Sequence, residues 1–217
     1  MKALAFSAAL LVGGALALAA SAQPPAAPQG PQPPNIIDMP ESMGKAKLTE
    51  TSADIKANTL IPNDNSAYGK SLSPQVSWTK GPATTKSYAV LLEDSDAQAR
   101  GMPITHWLAF NIPADVTSLP GGLPPQGAAA LPKGFLFGAN ITGKPAYFGP
   151  RTPPKTTHHY HLEVVALDTL LSVPEGAPRN VFADSIKTHV VATGEVVGLF
   201  TGPDTAPAPA APPAAPK

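Results

Sequence analysis

THHYHLEVVALD, residues 157–168, places three of the chain's five histidines within four positions, directly ahead of an apolar run. The stretch is rich in β-branched and aromatic residues, has strand length and ends in turn chemistry, so it reads as a β-strand. Side chains alternate between faces along a strand. His158, Tyr160, Leu162 and Val164 therefore share one face, and His159, His161, Glu163 and Val165 the other. The even face continues in apolar residues and is expected to meet the core, leaving His159 and His161 towards solvent. Three histidines on one short strand cannot close into a compact metal tripod, because the middle one points away from the first. His159 and His161 supply half of a zinc or copper site, with Glu163 the nearest third ligand. A surface histidine pair is more often simply solvated, and no metal is expected.

Similar runs lie on either side, as SPQVSW (73–78), SYAVLLED (87–94), THWLAFNI (105–112) and HVVATGEVVGLF (189–200). Gly- and Pro-containing segments such as TKGPATT, LPGGLPPQG and ITGKP separate them, which is turn chemistry. Helical signals are few. The best is 172–189, where Asn180 is expected to cap a short helix carrying Val181, Phe182 and Ile186. The expected fold is mainly β, a sandwich of two packed sheets with one or two short helices and long loops.

The ends read differently. Lys2 precedes a small, apolar run to residue 20, and Ala20-Ser21-Ala22 is an A-x-A cleavage box, so residues 1–22 read as a signal peptide. The mature protein is then expected to be periplasmic or secreted, with no transmembrane segment. Residues 23–36 read as a Pro-rich linker and 203–217 as an Ala/Pro-rich tail, both extended. One domain is expected over 37–202, an ordinary size for a single core. The chain has no cysteine, which excludes a disulfide scaffold, a lipoprotein anchor, thiol catalysis and cysteine metal clusters. Its 15 basic and 15 acidic residues balance, giving no footprint for nucleic acid.

A polar pair at a core edge needs partners. LLEDSDAQARGMPITHW supplies them: Asp94 and Asp96, two apart, and His106 at the head of the next strand. Carboxylate, imidazole and phenol converging at a rim would make a small polar pocket.

DSDAQ (94–98) followed by THWLAFNIP (105–113) resembles the DPDAP…HW(V)xxNIP segment of the phosphatidylethanolamine-binding protein family. YFGPRTPPKTTHHYHLEVVALD (147–168) resembles that family's G-x-x-G-P-x-P-P…H-x-Y signature, SPQVSW its S-P-P-L-S-W, and HVVATGEVVGLF its last strand. The four motifs occur in order, and the match is nearest the short bacterial Raf-kinase-inhibitor-like branch. The resemblance implies a β-sandwich with an anion pocket lined by Asp94, His106, His158 and Tyr160. It also implies support from Asp96 and hydrogen bonds from the Gly149-Pro150 backbone.

The ligand implied is a small anion such as phosphate, or a phospholipid head group such as phosphoethanolamine, with no cofactor and no catalysis. Two departures bear on that pocket. Ser95 and Gln98 replace the prolines of DPDAP, removing a pre-set turn. Phe148 adds bulk beside the pocket. Alternatives are a hydrolase using the His/Asp cluster with Ser95, or a protein-interaction or inhibitor module. Against the hydrolase, aspartates flank Ser95 and no G-x-S-x-G elbow is present.

Overall fold

The computed structural model describes residues 34–99, 101–123 and 134–205. The segments read as signal peptide and C-terminal tail lie almost wholly outside them. Nine strands occur among the described residues: β1 (Ala46–Lys47), β2 (Glu50–Thr51), β3 (Val76–Trp78), β4 (Ser87–Ala99), β5 (Met102–Pro113), β6 (Ser118–Leu119), β7 (Leu136–Phe137), β8 (Thr157–Leu167) and β9 (Val190–Thr201). One α-helix, α1 (Arg179–Ile186), precedes β9, and single 3-10 turns occupy Ile36–Asp38 and Asn63–Asn65. The two sheets run β1-β9-β8-β4-β5-β7 and β2-β3-β6. Only the β1–β9 pairing is parallel within these sheets. The expected mainly β sandwich is the observed architecture.

Strands β4, β8 and β9 form the spine. β8 pairs β4 from Ser87↔Leu167 to Asp94↔Tyr160, and β9 from Thr157↔Thr201 to Leu167↔Val190. Even-numbered residues of β4 and β8, among them Tyr88, Val90, Leu92, Leu162 and Val164, pack towards the small sheet with Val76, Trp78 and Leu119. Odd-numbered residues pack the opposite way. Ala89, Leu91, Val165 and Leu167 meet Ile36, Phe182 and Ile186 from the 3-10 turn and α1.

The large sheet is thus covered on both faces, which corrects the solvent-facing reading of the odd face of β8. Glu163 and Val165 are fully buried, and the His161 side chain keeps only 16 % of its surface exposed. His159 remains exposed, as expected. The contiguous apolar run Val164-Val165-Ala166-Leu167 carries the reason, since a strand buried on both faces loses its alternation.

Two smaller expectations also change. α1 begins after Pro178, with no side-chain cap, and Asn180 lies inside it. Pro178 holds the N-cap position in extended conformation, so the helix starts at Arg179 and Asn180 falls inside its first turn. The stretch read as linker ends within the fold, because Ile36 is fully buried and Pro34 C=O accepts from Arg179 Nη2 at 2.8 Å. Among the described residues no helix is long and apolar enough to cross a membrane.

Candidate functional site

β4 and β5 form a long hairpin turned at Gly101, whose φ of 74° suits a residue without a Cβ. DSDAQ runs on as strand, with a register shift between Asp94 and Gln98. Without the prolines of the related motif the segment keeps its backbone N–H groups, and pairing with β5 resumes beyond the bulge at Gln98↔Pro103. Asp94 Oδ1 accepts the Asp96 N–H at 2.9 Å, folding the bulge back on itself. Asp94 and Asp96 then take different partners. Asp94 Oδ2 accepts from His158 Nδ1 at 2.8 Å, and both side chains are largely buried. Asp96 Oδ2 accepts from the backbone N–H and Nδ1 of His159 at the surface. Partial burial raises the Asp96 carboxyl, but these His159 donors outweigh it and hold the group below the usual range.

His106, from β5, is buried, and its Nδ1 lies 2.8 Å from Phe148 C=O. A carbonyl only accepts, so Nδ1 carries the proton and the neutral ring presents Nε2 as an acceptor. Burial pushes the imidazole below its ordinary value, keeping it neutral. Phe148 stacks on the His106 ring at 6.1 Å and 12°. Tyr160, from β8, meets the same ring edge-on at 5.2 Å. Its hydroxyl pairs with Thr152 Oγ1 at 2.9 Å, and burial, with Asp94 beside it, raises the phenol far above its ordinary range.

Asp94, His106, Phe148 and His158 border a cavity of about 330 Å³. Its polar wall is Asp94, His106, His158 and Arg151, and Ile104, Phe148 and Pro153 supply apolar surface. Four of the residues singled out from sequence, Asp94, His106, His158 and Phe148, thus border one space. Tyr160 stands behind His106 instead of on the wall. Asp96 faces outward with His159.

Gly149 and Pro150 serve a neighbouring loop. Gly149 N–H donates to Ser71 Oγ at 2.9 Å, and Pro150 C=O accepts from Ala67 N–H at 3.0 Å. Proline has no N–H to give, so the backbone donors expected at 149–150 are not offered to the cavity. Glycine is needed at 149 because a Cβ there would lie 2.4 Å from Asn65 O. Asn140, within a glycosylation-type triplet, is buried and bonded to Thr142, Lys144 and Ala146.

Sequence reasoning missed Arg151, the one permanent cation on the cavity wall among the described residues. Its signal was available, since it sits in the signature turn as Gly149-Pro150-Arg151. It also missed Glu93, which is fully buried and accepts from Arg179 Nε at 2.6 Å and Nη2 at 2.9 Å. That pair spans 86 positions and has no local signature.

The family model for phosphatidylethanolamine-binding proteins matches residues 51–201, the span that holds β3 to β9 and the cavity wall. The chain belongs to this family. YbcL of Escherichia coli is 35% identical over 163 residues, 71% of this chain and 88% of its own length. Its crystal structure, described as a member of the mammalian PEBP family, superposes with a TM-score of 0.66 over 72% of this chain and 99% of that one. YbhB of the same organism is 35% identical over 134 residues, 61% of this chain and 84% of its own. A family homologue from Chlamydia trachomatis superposes with a TM-score of 0.61 at 26% identity, over 71% of this chain and 97% of that one. As a family member, the chain shares a fold whose name records binding to a phospholipid.

Proposed function

We propose that this phosphatidylethanolamine-binding family member is an exported binding protein. In this reading it holds a small phosphate-bearing ligand, a free phosphate or a phosphoethanolamine head group, and does no chemistry on it. The observation that carries the reading is the convergence of Arg151, His158, His106 and Asp94 on one cavity of about 330 Å³. Arg151 offers a fork of N–H donors suited to phosphate oxygens. His158 spends Nδ1–H on Asp94 and keeps Nε2 for the ligand. His106, with Nδ1–H committed to Phe148, asks for a donor, which a P–OH or an ammonium supplies. Ile104, Phe148 and Pro153 suit the carbon stem joining such groups. The N-terminal leader pattern supports export and contact with envelope lipids or metabolites.

Titration with phosphate and, separately, phosphoethanolamine followed by NMR tests the binding. Signals of His106 and His158 are expected to move while those of His159 and His161 stay. His158→Ala and Arg151→Gln are each expected to weaken binding about tenfold or more. Shifts confined to His159 and His161 would refute the assignment, and so would turnover of phosphomonoesters, phosphodiesters or aryl esters abolished in His158→Ala. Export is checked by the N-terminal mass of protein from fractionated cells, expected to begin after Ala22.

A further inference from the structure

The opposite face of β8 carries a second polar cluster that the ligand cavity does not use. Glu163 and Glu195 are direct cross-strand partners on β8 and β9. His161, two residues from Glu163, shares its face and donates from Nδ1 to Glu195 Oε1 at 2.5 Å. His161 Nε2 lies 3.0 Å from Ser95 Oγ. Glu163 is fully buried, and neither of its carboxylate oxygens has a hydrogen-bond partner among the described residues. A buried polar group with no partner is costly and calls for an explanation. Donor atoms of His161, Glu163 and Glu195 all lie within 4.8 Å of one another.

We propose that His161, Glu163 and Glu195 form a binding site for a divalent transition-metal ion, with zinc(II) the best match. One imidazole and two carboxylates suit zinc, leaving a fourth tetrahedral position to water. Metal–ligand distances of 2.0–2.2 Å put tetrahedral donors about 3.4 Å apart. From donors within 4.8 Å of one another, the partly exposed Glu195 side chain would supply most of the closure by turning about its own bonds. A doubly charged ion would balance both carboxylates and give the Glu163 oxygens the partner they lack.

His161 would bind through Nδ1, the nitrogen already facing Glu195, while Nε2–H donates to Ser95 Oγ. That second hydrogen bond fixes the tautomer and ring orientation, as around many zinc-bound histidines. The Nδ1 proton leaves as the metal enters. Entry from solvent is open, because the His161 and Glu195 side chains keep 16 % and 28 % of their surface exposed. The sequence had offered His159 as the second ligand beside His161. Strand alternation lets the pair share a face, but His159 is held at the surface by Asp96, and Glu195 across the ladder takes its place.

The run Ser95–His161–Glu195 also has the order of nucleophile, base and orienting carboxylate. Acyl transfer is the weaker assignment: Asp94 and Asp96 flank Ser95 and Glu163 adjoins the imidazole, a ring of carboxylates that opposes an oxyanion.

The test uses the full chain without a histidine tag, stripped with chelator and titrated with zinc chloride in a calorimeter. One zinc per chain is expected, with proton release seen by repeating the titration in buffers of different ionisation enthalpy. His161→Ala and the isosteric Glu163→Gln should each weaken affinity by more than about 100-fold, and Ser95→Ala by about 10–100-fold. His159→Ala should change nothing, and circular dichroism establishes that each variant is folded. Saturable binding unaffected by Glu163→Gln and His161→Ala would overturn the proposal. Absence of binding at millimolar zinc would also overturn it, as would ester turnover lost in Ser95→Ala. Phosphoethanolamine binding across the strand is independent of every one of these outcomes.

Discussion

Replacing Arg179 by Met should be among the most damaging single changes that leave the ligand cavity intact. Glu93 has no solvent exposure and accepts four hydrogen bonds. They come from Arg179 Nε at 2.6 Å, Arg179 Nη2 at 2.9 Å, Thr105 Oγ1 at 3.0 Å and Ile36 N–H at 3.3 Å. Arg179→Met removes the two charged bonds, worth about 1.5–3 kcal/mol each. It leaves a buried carboxylate with two neutral donors, and Pro34 C=O loses a partner as well. Breaking one side of a buried ion pair costs about 3–5 kcal/mol, in line with the sum of the two bonds. For a domain of this size that is a fall in Tm of about 6–20 °C.

Urea unfolding at pH 7, monitored by tryptophan fluorescence, reads the loss directly. The double variant Glu93→Gln/Arg179→Met removes the charge and keeps one acceptor oxygen, enough for one of the two remaining donors, Thr105 or Ile36. It should recover at least half of the loss. A loss below about 1 kcal/mol in the single variant, or a double variant no better than the single, would refute the view that Glu93 is a desolvated charge neutralised by Arg179.

Three further outcomes are expected. Burial lowers the His106 pKa, so below about pH 6.5 the unfolded chain takes up this proton first. The His106 contribution to stability is therefore complete above that pH and is lost as pH falls through the lowered folded value. His106→Gln should flatten the stability–pH slope between pH 7 and pH 5, measured by urea midpoints. Gly149→Ala puts a Cβ 2.4–2.6 Å from the backbone of residues 65–67. It should cost about 1–3 kcal/mol and move NMR signals of Ser71 and Phe148. Leu162→Ala, at a fully buried position between the sheets, should cost about 2–5 kcal/mol by denaturant unfolding, with the ligand cavity unaffected.

Much of this was decided locally. Each long strand announced itself through β-branched and aromatic runs bounded by Gly and Pro, because those preferences act within a few residues. Period-two alternation turned His158 and Tyr160 inward, and the ladder then set Tyr160 opposite Asp94. The Pro-rich signature loop carried Phe148 and Arg151 to the rim, although only Phe148 was read as such. Pro178 displaced Asn180 as the start of α1, a local signal misread in favour of a cap.

Tertiary structure decided what covers the back of the large sheet. Alternation assigns residues to faces but says nothing about which face meets water. The 3-10 turn at Ile36 and α1 bury the odd face, and with it Glu93, Glu163 and most of His161. Their partners come from other elements: Arg179 lies 86 positions from Glu93, and Glu195 lies 34 from His161. Such long-range pairs form only when packing excludes water and leaves each charge to find another. The sequence by itself therefore determined the strands and the half of the histidine cluster that meets Asp94. Only the fold brought Glu195 to His161 and Glu163 and buried the group, because long-range pairing and desolvation act on the assembled structure and leave no trace in a local pattern.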